Sequence, residues 1–327
     1  MKLYFDSNIY GFISEKREDR AVRQFLDENE HTIEASSDNL FEMYHIPDRE
    51  KCKQALQTLT TVATHFESKP QSWHQAQEVL NEIKKHRSYW FRQPASPKLI
   101  EQEKEFLRGH RENWGRAKEL YIPEKSISAP YRMDYEAGVV NSRNVQKTLK
   151  QRLMENDINL AFVSFTKSGD VDRVIADDML DPEIFWRINN LLAWFEAIAK
   201  RSPSSRDYAD WLLPYIRDDA FKTRTASYSD FWMKQIREEK VPKNRITALV
   251  DFYQLKHKIT HGNAGDQMHA CHMLDVDVFI TADKAYYEVL CDVKNHFTNC
   301  AKVVFLKRGA TSALSELKSV LETSLPN

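Results

Sequence analysis

The chain has 327 residues, 42% of them apolar and 29% charged, with a formal net charge of −1. That length suits two domains of ordinary size or one domain with a large insertion, and the apolar share is enough for a sizeable core. Eight Gly and 11 Pro exclude a collagen-like or broadly disordered chain, and the near-neutral total means that any strongly basic surface must be local.

The elements follow in chain order. Lys2-Leu3-Tyr4-Phe5 reads as a strand that ends in a loop at Asp6. No apolar h-region precedes it, so no signal peptide is expected. Residues 19–30 have helical spacing through Ala21, Val22, Phe25 and Leu26, and residues 31–35 read as a second strand. Ser36-Ser37-Asp38 offers N-cap residues for a helix that carries Leu40, Phe41, Met43 and Tyr44 and stops near Pro47. From about 50 to 240 the pattern is mainly helical, with candidate helices at 50–66, 72–90, 97–118, 141–156, 170–178, 182–200, 206–219 and 228–239. The apolar run Asn159–Phe165 fits a strand or a buried helix equally. Alternation then returns: a helix over 243–260, a turn at Gly262–Gly265, a short helix Asp266–Leu274, a strand Val276–Thr281, a helix Lys284–Leu290, a strand Lys302–Leu306 and a last helix over 312–323. Strands separated by helices predict an α/β fold with a parallel sheet sandwiched by helices. The two ends, 1–50 plus 243–327, would form one core, with 51–242 as a large, mainly α-helical insertion.

The four cysteines, at 52, 271, 291 and 300, have no CxxC spacing, which argues against a zinc knuckle or thioredoxin-type centre and suits a reducing compartment. No stretch approaches the ~18 apolar residues of a membrane span. The expectation is a cytoplasmic protein with no membrane partner.

In open α/β sheets ligands bind beyond the carboxyl ends of the strands. Asp6 and Asp283 both occupy that position, Asp266 opens a helix just after Gly265, and Glu42 lies early in its own helix. Four such carboxylates suit a hard cation, Mg2+ or Mn2+. Two ions about 3.5–4 Å apart can activate water on one side of a phosphodiester and stabilise the leaving oxygen on the other. Each acid also has a local structural reading. Asp6 fits an Asx-turn, Asp266 a helix N-cap, Glu42 an exposed helix acid or part of a capping box, and Asp283 the cap of the helix from Lys284.

The ordered pattern resembles the PIN-domain nuclease family. The likeness is carried by Leu3-Tyr4-Phe5-Asp6-Ser7-Asn8-Ile9-Tyr10, by Ser36–Glu42, by Gly265-Asp266-Gln267-Met268-His269-Ala270 and by Asp277–Lys284, which contains Thr281-Ala282-Asp283. It implies a PIN-like core in which Asp6, Glu42, Asp266 and Asp283 bind metal and act in catalysis, with Ser7, Asn8 and Thr281 in support. Asp38 is a near alternative to Glu42. The 223 residues between Glu42 and Asp266 are far more than compact members of the family carry between these acids.

Charge is uneven along the chain. Residues 1–50 hold 6 Lys/Arg against 12 Asp/Glu, whereas residues 84–125 hold 11 against 6. Lys84, Lys85, Arg87, Arg92, Arg108, Arg111 and Arg116 are interleaved with Tyr89, Trp90, Phe91 and Trp114, a pattern that suits phosphate neutralisation and base stacking, or a solvated helix face with inward-packed aromatics. Arg143, Lys147, Lys150 and Arg152 form a second basic run. His257, His261, His269 and His272 match no zinc spacing, but His269 lies one turn from Asp266, where it would orient a metal ligand.

The expected function is that of a metal-dependent endoribonuclease. Preference for RNA over DNA rests on the family's habit, and a structure-specific DNA nuclease is the nearest alternative. A PIN-like module that binds nucleic acid or assembles without cutting is a different class. An inhibitor protein or a second copy of the chain would be its protein partners. A haloacid-dehalogenase-type phosphatase is disfavoured because Asn8 stands where those enzymes usually carry a second Asp.

Overall fold

The computed structural model describes residues 1–123, 147, 151, 181–199, 210–217, 219, 226–255, 263–309 and 311–323. The chain divides into two compact units, one of Met1–Pro70, Arg108–Val140 and Ala264–Asn327, the other of Gln71–Leu107 and Asn141–Asn263.

The first unit is α/β. Its strands are β1 (Lys2–Phe5), β2 (Thr32–Ala35), β3 (His65–Phe66), β4 (Val278–Thr281) and β5 (Lys302–Phe305). All pair in parallel, in the order β3-β2-β1-β4-β5. Leu3, Tyr4 and Phe5 are all fully buried, as are Phe279 and Ile280, because parallel strands are covered on both faces. On one face Leu3, Phe5, Ile33, Val278 and Ile280 share a core with the helices α1 (Ser7–Lys16), α2 (Asp19–Glu28), α3 (Ser37–Tyr44) and α4 (Arg49–Val62) and with the helix Ala313–Glu322. The opposite face is more polar. Tyr4 stacks on His272 at 4.2 Å between ring centroids and lies 5.1 Å from Phe279. Glu34, opposite Tyr4 in the β1–β2 register, is an ion-pair partner of Lys2 and lies 3.7 Å from His272 Nδ1.

Several elements differ from expectation. The first strand was expected to run into a loop at Asp6; a helix, Ser7–Lys16, starts directly after it, with Ile9, Tyr10, Phe12 and Ile13 buried. The helix expected over 50–66 ends at Val62, and β3 follows it. The units also divide elsewhere than at 50 and 243. α4 belongs with the sheet because Leu56, Leu59 and Val62 pack into its core, while Pro242–Gln254 belongs to the second unit, where Ala248 is in the core. The helix expected over 243–260 is described as Pro242–Gln254.

In the second unit, Trp90, Trp186, Trp194, Trp211, Phe231 and Trp232 are buried in one cluster. Glu78 accepts hydrogen bonds from the Lys243 and Asn244 amides and so caps the helix Pro242–Gln254. The run Asn159–Phe165, the expected helix over 170–178, His257 and His261 lie outside the described residues, as do Arg143, Lys150 and Arg152. No helix among the described residues is long and apolar enough to cross a membrane.

Candidate metal centre

The strand order reverses between β1 and β4, since β2 and β3 lie on one side and β5 on the other. The carboxyl ends of strands at such a reversal frame a crevice, and Asp6 and Thr281-Ala282-Asp283 stand there. The Asp6 amide continues the sheet, donating to the Ile280 carbonyl at 3.0 Å. Asp6 occupies the N-cap position of α1, yet its side chain makes no capping hydrogen bond. Its Oδ2 accepts instead from Asn8 Nδ2 at 2.6 Å and from the Thr281 hydroxyl at 2.8 Å. Asn8 Oδ1 accepts from the Ala282 amide at 2.9 Å, and Thr281 Oγ1 from the Asp283 amide at 3.1 Å. Asn8 and Thr281 thus tie the two strand ends together while holding one Asp6 oxygen in place.

α3 delivers the second acid. Ser36 caps it, accepting from the Asn39 amide, and the Asn39 side chain returns to the Ser36 amide. Asn39 Nδ2 also donates to the Phe5 carbonyl at 3.2 Å and to Ser7 Oγ at 3.1 Å, which locks the start of α3 to the end of β1. Glu42, nearly two turns along, points back to the same place. Its Oε1 lies 3.2 Å from His269 Nε2. A Cβ at Gly265 would stand 2.7 Å from that Oε1, so the close approach of Glu42 depends on glycine there.

Asp6, Glu42 and His269 each bring one metal-binding atom within 4.8 Å of the others. Asp266 is half-buried in the first turn of the helix Asn263–Ala270, and its backbone carbonyl accepts from the Tyr286 hydroxyl at 2.5 Å. Asp283 is exposed, and its Oδ1 caps the helix Lys284–Lys294 by accepting from the Tyr286 amide at 3.0 Å. The local reading therefore holds for Asp283 as placed here and fails for Asp6.

The electrostatics reflect this crowding. Burial raises the Asp6 carboxyl above its ordinary value; His269 lowers it, Glu42 raises it, and the Thr281 hydrogen bond lowers it, with a net rise. Asp266 is pushed well above its ordinary value by burial, with Asp6, Asp283 and Glu42 adding to the rise and His269 opposing it. Burial would lower the His269 ring, but Glu42, Asp6 and Asp38 override it and raise the ring to about 10. Glu42 shows the converse: burial opposes ionisation, and His269 and the Ser7 hydroxyl reverse that to a net lowering. With no divalent ion, the His269 imidazolium is the counter-charge of the cluster.

Compared with protein-family models, curated proteins and solved structures, the chain gives no match. The residues themselves must carry the functional argument. Oxygen donors from Asp6 and Glu42, with an imidazole nitrogen beside them, are a donor set that a divalent ion fits. His269 Nε2 is buried beside Glu42 without an aligned hydrogen bond, and once it gives up its proton it offers a nitrogen donor beside the two carboxylates.

Of the expected site residues, Asp6, Ser7, Asn8, Glu42 and Thr281 converge, Asp266 adds its field, and Asp283 lies at the rim. Tyr4 and Asn39 were not foreseen as site residues. Tyr4 carried no signal, being an apolar-looking strand residue, whereas Asn39 was open to recognition as the fourth residue of a capping box that starts at Ser36.

The basic residues divide between the two units. Lys84, Lys85 and Arg87 belong to the second unit, and Arg108, Arg111 and Arg116 to the first. Trp90 and Trp114 are buried, as the packing reading expected, while Tyr89 is exposed. Arg108 and Arg116 flank Glu112 at 4.0 and 3.6 Å.

Proposed function

We propose that this chain is a metal-dependent nuclease of PIN-like type, an endoribonuclease in its leading form, with its catalytic centre at Asp6, Glu42 and Asp266. The single observation that carries this reading is the convergence of Asp6 and Glu42, 36 positions apart in sequence, to within 4.8 Å of each other at the reversal point of a parallel sheet. Buried carboxylates that repel one another are costly, and catalytic cation sites are where proteins retain them. A bound Mg2+ or Mn2+ supplies Lewis-acid activation of water and neutralises charge on the phosphoryl group.

The chain's own groups have separable tasks in this reading. Asp6, fixed through Oδ2 by Asn8 and Thr281, keeps Oδ1 for the ion. Glu42 closes the pocket over Gly265. Asp266, whose carboxyl holds its proton more readily than an ordinary Asp, is suited to bind or relay a proton beside the ion. Asp283 contributes negative field from the rim and holds the helix that carries Tyr286. The helical second unit, read as an insertion into a PIN-like core, is the candidate substrate-binding arm.

The decisive experiment incubates the wild type and Asp6→Asn with labelled single-stranded RNA and DNA, with Mn2+ or with EDTA. Cleavage that needs metal and is lost in the variant supports the reading, and the preferred strand decides RNA against DNA. Binding without cleavage would replace it with a non-cutting module, and phosphate release from a small phosphomonoester would point to a phosphatase.

Gly265→Ala gives a finer test. The new methyl displaces the Glu42 carboxylate, the far end of a flexible side chain, so folding is expected to be unharmed. Ala in a helix is about 1 kcal/mol better than Gly. Cleavage is expected to fall about 10-fold with the thermal midpoint unchanged or raised. Full activity would show that the position of Glu42 does not matter.

Triple reversal of Arg108, Arg111 and Arg116 to Glu is expected to weaken binding of single-stranded RNA at least about 10-fold at low salt, with a shallower salt dependence, because fewer counterions are released. Unchanged affinity in a low-salt gel shift would remove this helix from the substrate path.

A further inference from the structure

We propose that His269 is itself a metal ligand, through Nε2, and that it biases the centre toward first-row transition ions over Mg2+. The inference rests on the metal-centre reading above and deepens it by naming the class of ion.

His269 is 1% exposed, and its Nδ1 lies 2.5 Å from the Tyr4 hydroxyl. That hydroxyl is also 2.8 Å from Ser36 Oγ, which in turn lies 3.3 Å from the Asn39 Oδ1 acceptor. These contacts can run in either direction; in the one that suits a ligand, Ser36 donates to Asn39, Tyr4 donates to Ser36, and His269 Nδ1–H donates to Tyr4. In the neutral ring this leaves the lone pair on Nε2, on the side of Glu42 and Asp6. A ligating histidine is held in the same way, with its other nitrogen fixed by a hydrogen-bonding partner.

Without an ion, a protonated Nε2 serves only as the counter-charge to Glu42; loss of that proton turns it into a nitrogen donor facing the carboxylates. Protonated Nε2 forms an ion pair with Glu42 Oε1 at 3.2 Å, without hydrogen-bond alignment to it. Donor atoms around one ion at about 2.0–2.1 Å lie roughly 3–4 Å from one another. The observed spread of at most 4.8 Å for Asp6, Glu42 and His269 needs only small side-chain adjustment to reach that. When an ion takes Nε2, any proton there leaves to solvent, so charge and atoms balance.

The ion class follows from the donors. Carboxylates and water alone suit Mg2+, and one imidazole nitrogen moves the preference along the transition series. The alternative pairing of Glu34, His272 and Asp275 has a similar composition, but Lys2 already neutralises Glu34 there.

The test uses the full chain and Mn2+ as the probe. Pulsed EPR of the Mn2+-loaded wild type is expected to show a directly coordinated nitrogen. His269→Gln is expected to lose that coupling, to bind Mn2+ about 10–100-fold more weakly by calorimetry, and to change Mg2+ affinity less than about 3-fold. Mn2+ held by the wild type with oxygen ligands only would overturn this inference and leave the metal centre standing. A wild type that binds neither Mn2+ nor Mg2+ would overturn both. The wild-type spectrum decides the matter even if the variant fails to fold.

Discussion

Asp6→Asn is expected to abolish metal-dependent cleavage and, in the absence of metal, to make the protein more stable. The two effects have one cause. Asp6 is 7% exposed, and its carboxyl sits above its ordinary value because burial penalises the charge and Glu42 adds to that, against His269 and Thr281. A carboxylate whose value is raised in the folded state favours folding most below its ordinary value and loses that contribution as pH rises from there through the raised folded value. At neutral pH the native state therefore holds an anion it would rather protonate. Asn removes that charge and can keep its side-chain oxygen where Asn8 and Thr281 donate. A gain of about 1 kcal/mol in EDTA is expected, a shift of a few degrees in thermal midpoint.

Function moves the other way. Without the Asp6 charge the ion loses its most firmly positioned donor, and cleavage is expected to drop by about 10³-fold or more. Metal separates the two effects in one assay. Ion at 100 times its dissociation constant should stabilise the wild type by about 2.7 kcal/mol, and Asp6→Asn by far less. Thermal denaturation of both proteins in EDTA and in excess Mn2+ checks this. Equal stabilisation of the two by Mn2+ would show that the ion binds elsewhere.

The second large effect is expected at Glu34, on the same face of the sheet. Its side chain is almost wholly buried, and burial opposes its ionisation. His272 and Lys2 more than offset that and bring the carboxyl from 4.5 down to about 2. The sign is opposite to that at Asp6. A lowered carboxyl contributes stability that is fully present above its ordinary value and is lost as pH falls through the folded one. The loss in the wild type should therefore run from about pH 4.5 down to about 2.

Glu34→Gln is expected to cost about 2 kcal/mol at pH 7. This is less than the 3–5 kcal/mol typical of a broken buried pair, because Lys2 is 42% exposed and its half of the interaction is screened by water. The difference between the proteins should close as pH approaches 2. Chemical denaturation at pH 7, 5 and 3 measures it, and parallel curves would show that Glu34 is not held by its partners.

The strand runs Leu3-Tyr4-Phe5 and Val278-Phe279-Ile280 were legible because a parallel strand covered on both faces is continuously apolar, whatever packs on it. The acids at their carboxyl ends were legible for the same reason, since a charge directly after such a run must lie at the sheet edge. α1 was missed because Asp6-Ser7-Asn8 reads as a turn, and nothing local says that its polar groups are spent across the sheet on Thr281 and Ala282. β3 was missed because two residues carry no period. Glu34 gave no sign of His272, nor Tyr4 of His269, since these pairs span more than 230 positions.

By itself, the sequence determined the α/β alternation and which acids end strands or open helices, because those follow from periodicity and turn chemistry within a few residues. Only the tertiary structure decided that Asp6, Glu42 and His269 cluster together, that Asp283 spends its carboxylate on a helix cap, and that Arg108, Arg111 and Arg116 belong to the unit that holds the acids. Those outcomes depend on strand order and long-range packing, and a field between charges acts through space without regard to their separation along the chain.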